Sequence, residues 1–341
     1  MGRGSLETLK YERYFRDTTL KDPEKAMQAA ILAAGLGARL RPLTYTTPKA
    51  LVPVLNRPLL GVILAQLREA GALRVAVNTH HLASQVQDFL EANRPPDMVV
   101  AARPEPEILG TGGGLRSLAG ALEDAPFLAI NADILTDLDL AKIFQGHREE
   151  ALATLVLHDC PRFNNVWLNQ EGRVAGVGTP PPNHAGPALA YTGVQVVSPR
   201  MLEWLPKQGP ADLVAAWREA MARGEHLAAM VVTGHFWQDL GTPEAYLAAH
   251  QRLLSGAGPG LQKYFPALAD PLIGEGTVLE EGVTCAGGVC LGREVRVGQG
   301  ARLKNTVAWD EAQIAPGITL EDCVVGRGAR VTASAWQATV I

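Results

Sequence analysis

Two glycines, two arginines and a lysine crowd into the stretch LAAGLGARLRPLTYTTPKALVPV, Leu32 to Val54, directly after a short apolar run. Backbone N–H groups converge where no Cβ intervenes, and basic side chains beside them suit a phosphorylated anion. Spacing excludes two common arrangements. A dinucleotide fingerprint needs a third glycine, but Gly35-Leu36-Gly37-Ala38-Arg39 runs on to Leu40, and the second strand ends in Asn78 and Thr79 with no acid for a ribose. A P-loop needs Gly-Lys-Ser/Thr, which does not follow. What remains is a backbone cradle at Ala33, Ala34, Gly35 and Gly37. Arg39 presents a planar fork to phosphate oxygens, and Lys49 is a mobile point charge.

Phosphorylated anions repel one another unless a cation bridges them, and hard Mg²⁺ takes one or two carboxylates. Asp133 stands just past the fourth apolar run, where open α/β sheets bind ligands at the carboxyl ends of their strands. Taken alone it reads equally as a turn aspartate. The segment Pro104 to Gly112, PEPEILGTG, is the candidate for base selection: Gly110, Thr111 and Gly112 let the backbone approach a flat base. An ionised Glu105 or Glu107 is acceptor-only and matches the adjacent N–H donors of guanine. The same two acids also fit the solvated ends of a proline-rich turn. Asn78 and His80 stand at the end of the second apolar run, where side chains can line a ligand pocket. His80 with His81 resembles a metal pair, although a helix N-terminal role or simple exposure fits the two better.

The elements that must hold these groups alternate. Apolar runs of strand length at Ala29–Ala33, Arg74–Asn78, Met98–Ala102, Phe127–Asn131 and Ala153–Leu157 are separated by helical spacing at Leu59–Glu69, Leu82–Glu91 and Gly114–Leu122. Buried parallel strands with crossover helices read this way, so the class is α/β, doubly wound and Rossmann-like. A helix over Thr242–Leu254, with Thr242 as N-cap and Pro243 in its first turn, closes this domain. Beyond the Gly256–Gly260 breaker the period becomes six: Ile273, Leu279, Cys285, Leu291, Val297, Leu303, Trp309 and Ala315, with a register slip expected near Glu321. That is a hexapeptide β-helix repeat. The expected division is a leader or expression-derived extension over 1–26, a catalytic domain over 27–258 and a repeat domain over 265–341.

Composition narrows the function classes. The chain has 341 residues, 47% hydrophobic content and a formal charge of -4, with a pI near 6.1 and a mean hydropathy of +0.04. A soluble globular protein is expected, with no global basic surface for nucleic acid and no membrane partner. Four cysteines without a C-x-x-C pair, and no secretory or membrane-length apolar run, point to a reducing cytoplasm. None of the eight histidines falls in the repeat region, so acyl transfer through a repeat-domain histidine is not expected there. Trp309 and Trp336 are its candidate contacts with the catalytic domain or with a second copy in a homo-oligomer.

The run Gly35, Gly37, Arg39, Leu40, Pro42, Leu43, Thr44, then Pro48, Lys49, Leu51 and Pro53, resembles the signature of the sugar-phosphate nucleotidyltransferases. Resemblance continues through GTGGG at 110–114, NADIL at 131–135, YTGV at 191–194 and FWQDLGTPEAY at 236–246, covering nearly the whole chain. Mannose-1-phosphate guanylyltransferases and N-acetylmuramate-1-phosphate uridylyltransferases are the most similar groups. The resemblance implies a Mg²⁺-dependent reaction of a nucleoside triphosphate with a sugar 1-phosphate, with Arg39, Lys49 and Asp133 catalytic and Asp239 the second metal carboxylate. It further implies that the Gly193 backbone meets the sugar, with Asn78 and His80 as candidates to line the sugar pocket. Two departures stand out: Ala132 replaces the usual glycine before the aspartate, and Gly176-Val177-Gly178-Thr179-Pro180 replaces a glutamate-lysine-proline motif, leaving Asn165 and Trp167 as candidate substitutes. Guanylyl transfer to mannose 1-phosphate or a related sugar is the leading expectation, and uridylyl transfer to N-acetylmuramate 1-phosphate is the second. A non-catalytic subunit that binds nucleotide sugar is the rival, and loss of one of the four charged residues would have favoured it.

Overall fold

The computed structural model describes residues 27–181, 186–265 and 268–341, so the expected leader lies outside the described residues. In chain order the long strands of the main sheet are β1 (Met27–Leu32), β2 (Ala72–Thr79), β3 (Val99–Pro104), β4 (Phe127–Asn131), β5 (Ala153–His158), β6 (Ala188–Val197) and β7 (Leu227–Val231). The helices α1 (Leu59–Glu69), α2 (Ala83–Asn93) and α3 (Gly110–Ala119) lie in the connections between the first four strands. Spatially the strands run β3-β2-β1-β4-β6, with β5 beside β6 and β7 beside β5. The pairs β1–β2, β1–β4 and β2–β3 are parallel, whereas β6 is antiparallel to both β4 and β5. The sheet is therefore mixed: the run at 153–157, expected among parallel strands, joins it through the antiparallel β6.

Burial on both faces explains the near-continuous apolar character of the parallel half. Ala29 and Ile31 of β1 pack into the cluster that includes Leu60 and Ile63 of α1, while Ala30 between them joins Leu115 and Leu118 of α3 on the other side. The chain leaves β1 toward β2 and later returns past it to β4. Loops after β1 and β4 therefore diverge and open a crevice at the carboxyl edge of the sheet. The helix α4 (Pro243–Leu254) opens with Thr242 Oγ1 accepting from the Ala245 N–H, as its cap sequence predicts.

From Leu272 on, thirteen short strands stack into three parallel sheets of five, four and four strands, a left-handed parallel β-helix. Leu272 pairs Cys290, eighteen residues on, but Cys290 pairs Val307, seventeen on, so the strict period of six slips one coil earlier than the sequence pattern predicts. The missing residue comes from a turn. Gly287-Gly288 in the first coil is replaced by the single left-handed Asn305 in the next and Asp322 in the one after, and Asn305 Nδ2 donates to Asp322 Oδ1 at 2.9 Å. The interior stack accordingly runs Leu291, Val297, Leu303, Ala308, Ile314, Leu320, Val325 and Val331. Trp309, which the strict period would put inside, belongs instead to the core of the large sheet.

Candidate active site

A cleft of about 220 Å³ opens at the carboxyl edge where the loops diverge, lined by residues of five separate segments. Leu32 at the end of β1 leads into Ala33, Ala34 and Gly35; Lys49 and Ala50 follow; Asn78 is the penultimate residue of β2; Glu105 and Ile108 come from the β3–α3 connection and Gly110 and Thr111 from the start of α3; and Asn131 at the end of β4 leads into Ala132 and Asp133. Gly35 is exposed, and a Cβ built there would meet nothing within 4 Å, so this peptide is open to a ligand. Gly37 has a different task. Its φ of 62° is left-handed, Thr44 Oγ1 donates to its carbonyl at 2.9 Å, and a Cβ would press to 2.8 Å on Thr44 Cγ2. It folds the loop that carries Arg39 and Lys49 back on itself.

The charged groups form two pairs at the mouth. Lys49 Nζ lies 2.7 Å from Asp133 Oδ2, and Arg39 NH2 lies 3.7 Å from Asp239 Oδ2. Asp239 reaches the site on the short strand Trp237–Asp239, which pairs antiparallel with Ile134–Thr136 directly after Asp133. This pairing, together with the Leu240 N–H donating to the Asp133 carbonyl at 2.9 Å, brings together two acids 106 residues apart in sequence. Burial raises the Asp239 carboxyl above its ordinary value, and the nearby Asp133 charge adds to the effect, opposed by Lys49, Arg39 and Arg162. Two carboxylates in repulsion, open to solvent on one side, fit a hard divalent cation that completes its shell with phosphate oxygens and water. Among the described residues no group of three or more His, Cys, Asp or Glu side chains gathers as a metal cage.

Asn78 and Glu105 form the floor. Asn78 Oδ1 accepts from the Ala33 N–H at 2.6 Å and its Nδ2 donates to Glu105 Oε1 at 2.7 Å; Glu105 Oε2 accepts from the Leu109 N–H at 3.1 Å. Glu105 is only 4% exposed, with both oxygens engaged by the protein. Glu107 is exposed and is not among the lining residues. The helix α3 begins at Gly110, four residues before its predicted start, because its glycines serve close packing. A Cβ at Gly112 would meet Leu205 Cδ2 at 2.8 Å, one at Gly113 would meet Leu109 Cβ at 2.8 Å, and one at Gly114 would meet Asn78 Nδ2 at 2.6 Å. Gly110 and Thr111 face the cleft while Gly112 packs against Ala211.

The remaining candidates lie around the rim. Gly193 has a φ of 83° and sits against Asn131, where a Cβ would be 3.2 Å from Asn131 Nδ2. Asn165 is exposed and ties its backbone to Leu189 and Gly178. His80 Nδ1 contacts the Glu105 carbonyl at 2.8 Å and His81 Nε2 the Thr44 carbonyl at 2.6 Å, so the pair clamps two loops and does not converge on a common point. Sequence reasoning missed Asn131, which lines the cleft, and Gly241, over whose α-carbon the Arg39 guanidinium lies. The glycine directly after Asp239-Leu240 was the available signal for the second.

An open α/β sheet whose switch-point cleft pairs a lysine and an arginine with two carboxylates defines a class of proteins that handle phosphorylated ligands. Residues 28–256 match the sequence model of the family described as Nucleotidyl transferase, and the chain belongs to that family. Among curated relatives, a mannose-1-phosphate guanylyltransferase of Mycobacterium tuberculosis is 28% identical over 86% of this chain and 83% of its own length. An N-acetylmuramate alpha-1-phosphate uridylyltransferase of Neisseria meningitidis is 34% identical over 63% of this chain and 94% of its own. Of solved structures, HddC from Yersinia pseudotuberculosis complexed with GMP-PN superposes with a TM-score of 0.57 at 22% identity, over 67% of this chain and 99% of that one, a likeness of fold.

Proposed function

We propose that the protein transfers a guanylyl group from GTP to mannose 1-phosphate or a closely related sugar 1-phosphate, releasing pyrophosphate. The observation that carries this reading is that Lys49 and Asp133 line one cleft with the open backbone of Gly35, while the Arg39–Asp239 pair stands beside that lysine and aspartate. An oxygen of the sugar phosphate, already an anion, attacks the α-phosphorus in line, so no side chain needs activation and the task is positioning and neutralising charge. Lys49 exchanges its contact with Asp133 for the α-phosphate and the incoming sugar phosphate, and Arg39 holds the departing pyrophosphate with its fork. Asp133 and Asp239 would hold Mg²⁺, which when bound screens the phosphate charges from one another. The guanylyl reading draws support from the guanylyltransferase of M. tuberculosis, similar over both the sheet and the repeat region.

A second reading, uridylyl transfer to N-acetylmuramate 1-phosphate, draws on the higher identity to the Neisseria uridylyltransferase, over 63% of this chain. Four free cysteines accord with a reducing cytoplasm, and an exposed Trp336 near the end of the β-helix accords with self-association. Among the described residues no helix is long and apolar enough to cross a membrane. A pyrophosphate-release assay crossing four nucleoside triphosphates with a panel of sugar 1-phosphates tests the proposal. The expected maximum is GTP with mannose 1-phosphate. A maximum with UTP and N-acetylmuramate 1-phosphate selects the second reading, and no release with any pair rejects both.

A further inference from the structure

Lys49 and Asp239 are both a few residues from one buried knot that belongs half to the sheet domain and half to the β-helix. On the first side, the short turn Lys49–Leu51 leads through Val52 into a hairpin, Pro53–Val54 against Arg57–Pro58, whose tip residues Leu55 and Asn56 have φ of 45° and 64°. The tip is held by atoms that do not belong to the hairpin. The Leu55 N–H donates to His250 Nε2 at 3.2 Å, Asn56 Nδ2 donates to the Leu291 carbonyl of the β-helix at 2.7 Å, and the Cys290 thiol donates to Asn56 Oδ1 at 3.3 Å. The Tyr246 hydroxyl donates to the Pro53 carbonyl.

On the second side, Asp239 is followed at once by the cap Thr242 and by α4, whose first turn carries Tyr246 and whose second carries His250. Trp309 of the β-helix closes the knot by donating its indole N–H to the Tyr246 oxygen at 3.0 Å. Tyr246, His250 and Leu55 are fully buried and Trp309 is 4% exposed, so water does not substitute for a lost partner. The His250 ring is fixed as well: its Nε2 accepts from Leu55, leaving Nδ1 to donate to the Tyr246 carbonyl at 2.9 Å.

We infer that Asn56 and Trp309 are positioning residues, through which the β-helix holds the Lys49 loop and the Asp239 strand in register with one another. The repeat region then takes part in catalysis without touching substrate. The inference rests on the proposed roles of Lys49 and Asp239. Displacements on the order of an ångström far from the chemistry reduce turnover by up to about a hundredfold, so a loosened hairpin is read in kcat.

Two variants of the full chain test it. Asn56→Gly suits the left-handed backbone of the tip while deleting both ties to the β-helix, so it leaves the turn intact. Trp309→Phe keeps an aromatic ring and removes the N–H. Backbone hydrogen exchange over residues 49–56 is expected to quicken by about tenfold or more in Asn56→Gly. Its kcat is expected to fall by between about tenfold and a hundredfold, with KM for either substrate within about twofold. Trp309→Phe should move both readouts the same way. Unchanged exchange over 49–56, or a lowered Tm with unchanged kcat, overturns the inference. Should the wild-type protein release no pyrophosphate with any substrate pair, the functional reading falls, while the exchange measurement still decides whether the β-helix holds the loop.

Discussion

Lys49 Nζ stands 2.7 Å from Asp133 Oδ2, and the lysine is the more enclosed of the two, with 13% of its side chain exposed against 31% for the aspartate. The lysine therefore does part of the work of a metal, neutralising a carboxylate that would otherwise face a second one. Removing its charge with Lys49→Gln has opposite effects on two measurements. The site becomes more negative, so Mn²⁺ used as a paramagnetic probe should bind several-fold more tightly. Turnover should fall by at least about a hundredfold, because the cation proposed to follow the reacting phosphates is gone. Water-proton relaxation and pyrophosphate release read the two. Weaker metal binding in the variant would place the lysine outside the metal's field.

Gly241 provides the flat support for Arg39. A Cβ at this position would lie 2.6 Å from Arg39 NH2 and 2.9 Å from Asp239 Oδ1, and both atoms are ends of side chains able to move aside. Gly241→Ala should therefore leave the fold and Tm nearly unchanged while pushing the guanidinium off its contact with Asp239. A rise in KM for the triphosphate of about five- to tenfold is expected, measured by initial rates at saturating sugar phosphate. Unaltered kinetics would mean that Arg39, with 60% of its side chain exposed, finds its phosphate oxygens without the glycine shelf.

The strands of the parallel half and the extent of α1 were legible because a two-sided sheet imposes continuous apolar runs and a surface helix imposes a regular stripe. The antiparallel β6 that comes between β4 and β5 was not, since pairing partners leave no trace in a strand's own apolar pattern. The start of α3 was hidden for another reason. Gly110 to Gly114 look like loop residues by propensity, yet they are helical because only glycine lets α3 approach Ala211 and Asn78 so closely. In the site, Arg39, Lys49, Asp133 and Asp239 were legible as residue types at motif positions, whereas the way they pair required the contact between the strands at 134–136 and 237–239. The slip at Asn305 escaped because Leu303 to Trp309 continues the six-residue period by coincidence, placing a tryptophan that faces the other domain in a nominal core position.

Glu105 supports the floor through Asn78 and the Leu109 N–H, both of which present donors to it. Glu105→Gln replaces one accepting oxygen by a donating NH₂, so one of those donors faces another donor in a buried place. A loss of about 1–3 kcal/mol in unfolding free energy follows, measurable by urea titration. If the residue supports Ala33 and does not read the base, relative kcat/KM for GTP and UTP stays constant as both fall. A change in the GTP-to-UTP ratio of tenfold or more would assign Glu105 to base selection instead.

His250 makes stability depend on acid in a direction fixed by its surroundings. Burial lowers its pKa from 6.5 to about 4, opposed by the bond to the Tyr246 carbonyl. The unfolded chain then binds a proton between pH 6.5 and about 4 that the folded protein refuses. The stabilisation is complete above the unfolded value and is lost as pH falls toward the folded one. For this one histidine the loss between pH 7 and pH 5 is about 2 kcal/mol. His158, also lowered to about 4 by burial and by the neighbouring His235, adds to the slope in the same direction. In His250→Gln the amide oxygen can still accept from Leu55, but nothing titrates at that position. The variant should therefore show a shallower fall in urea-unfolding free energy from pH 7 to pH 5 than the wild type, with the difference between the two chains narrowing as the acid limit is approached. Equal slopes in the two proteins would mean that His250 is protonated in the folded state, in conflict with its acceptance of the Leu55 N–H.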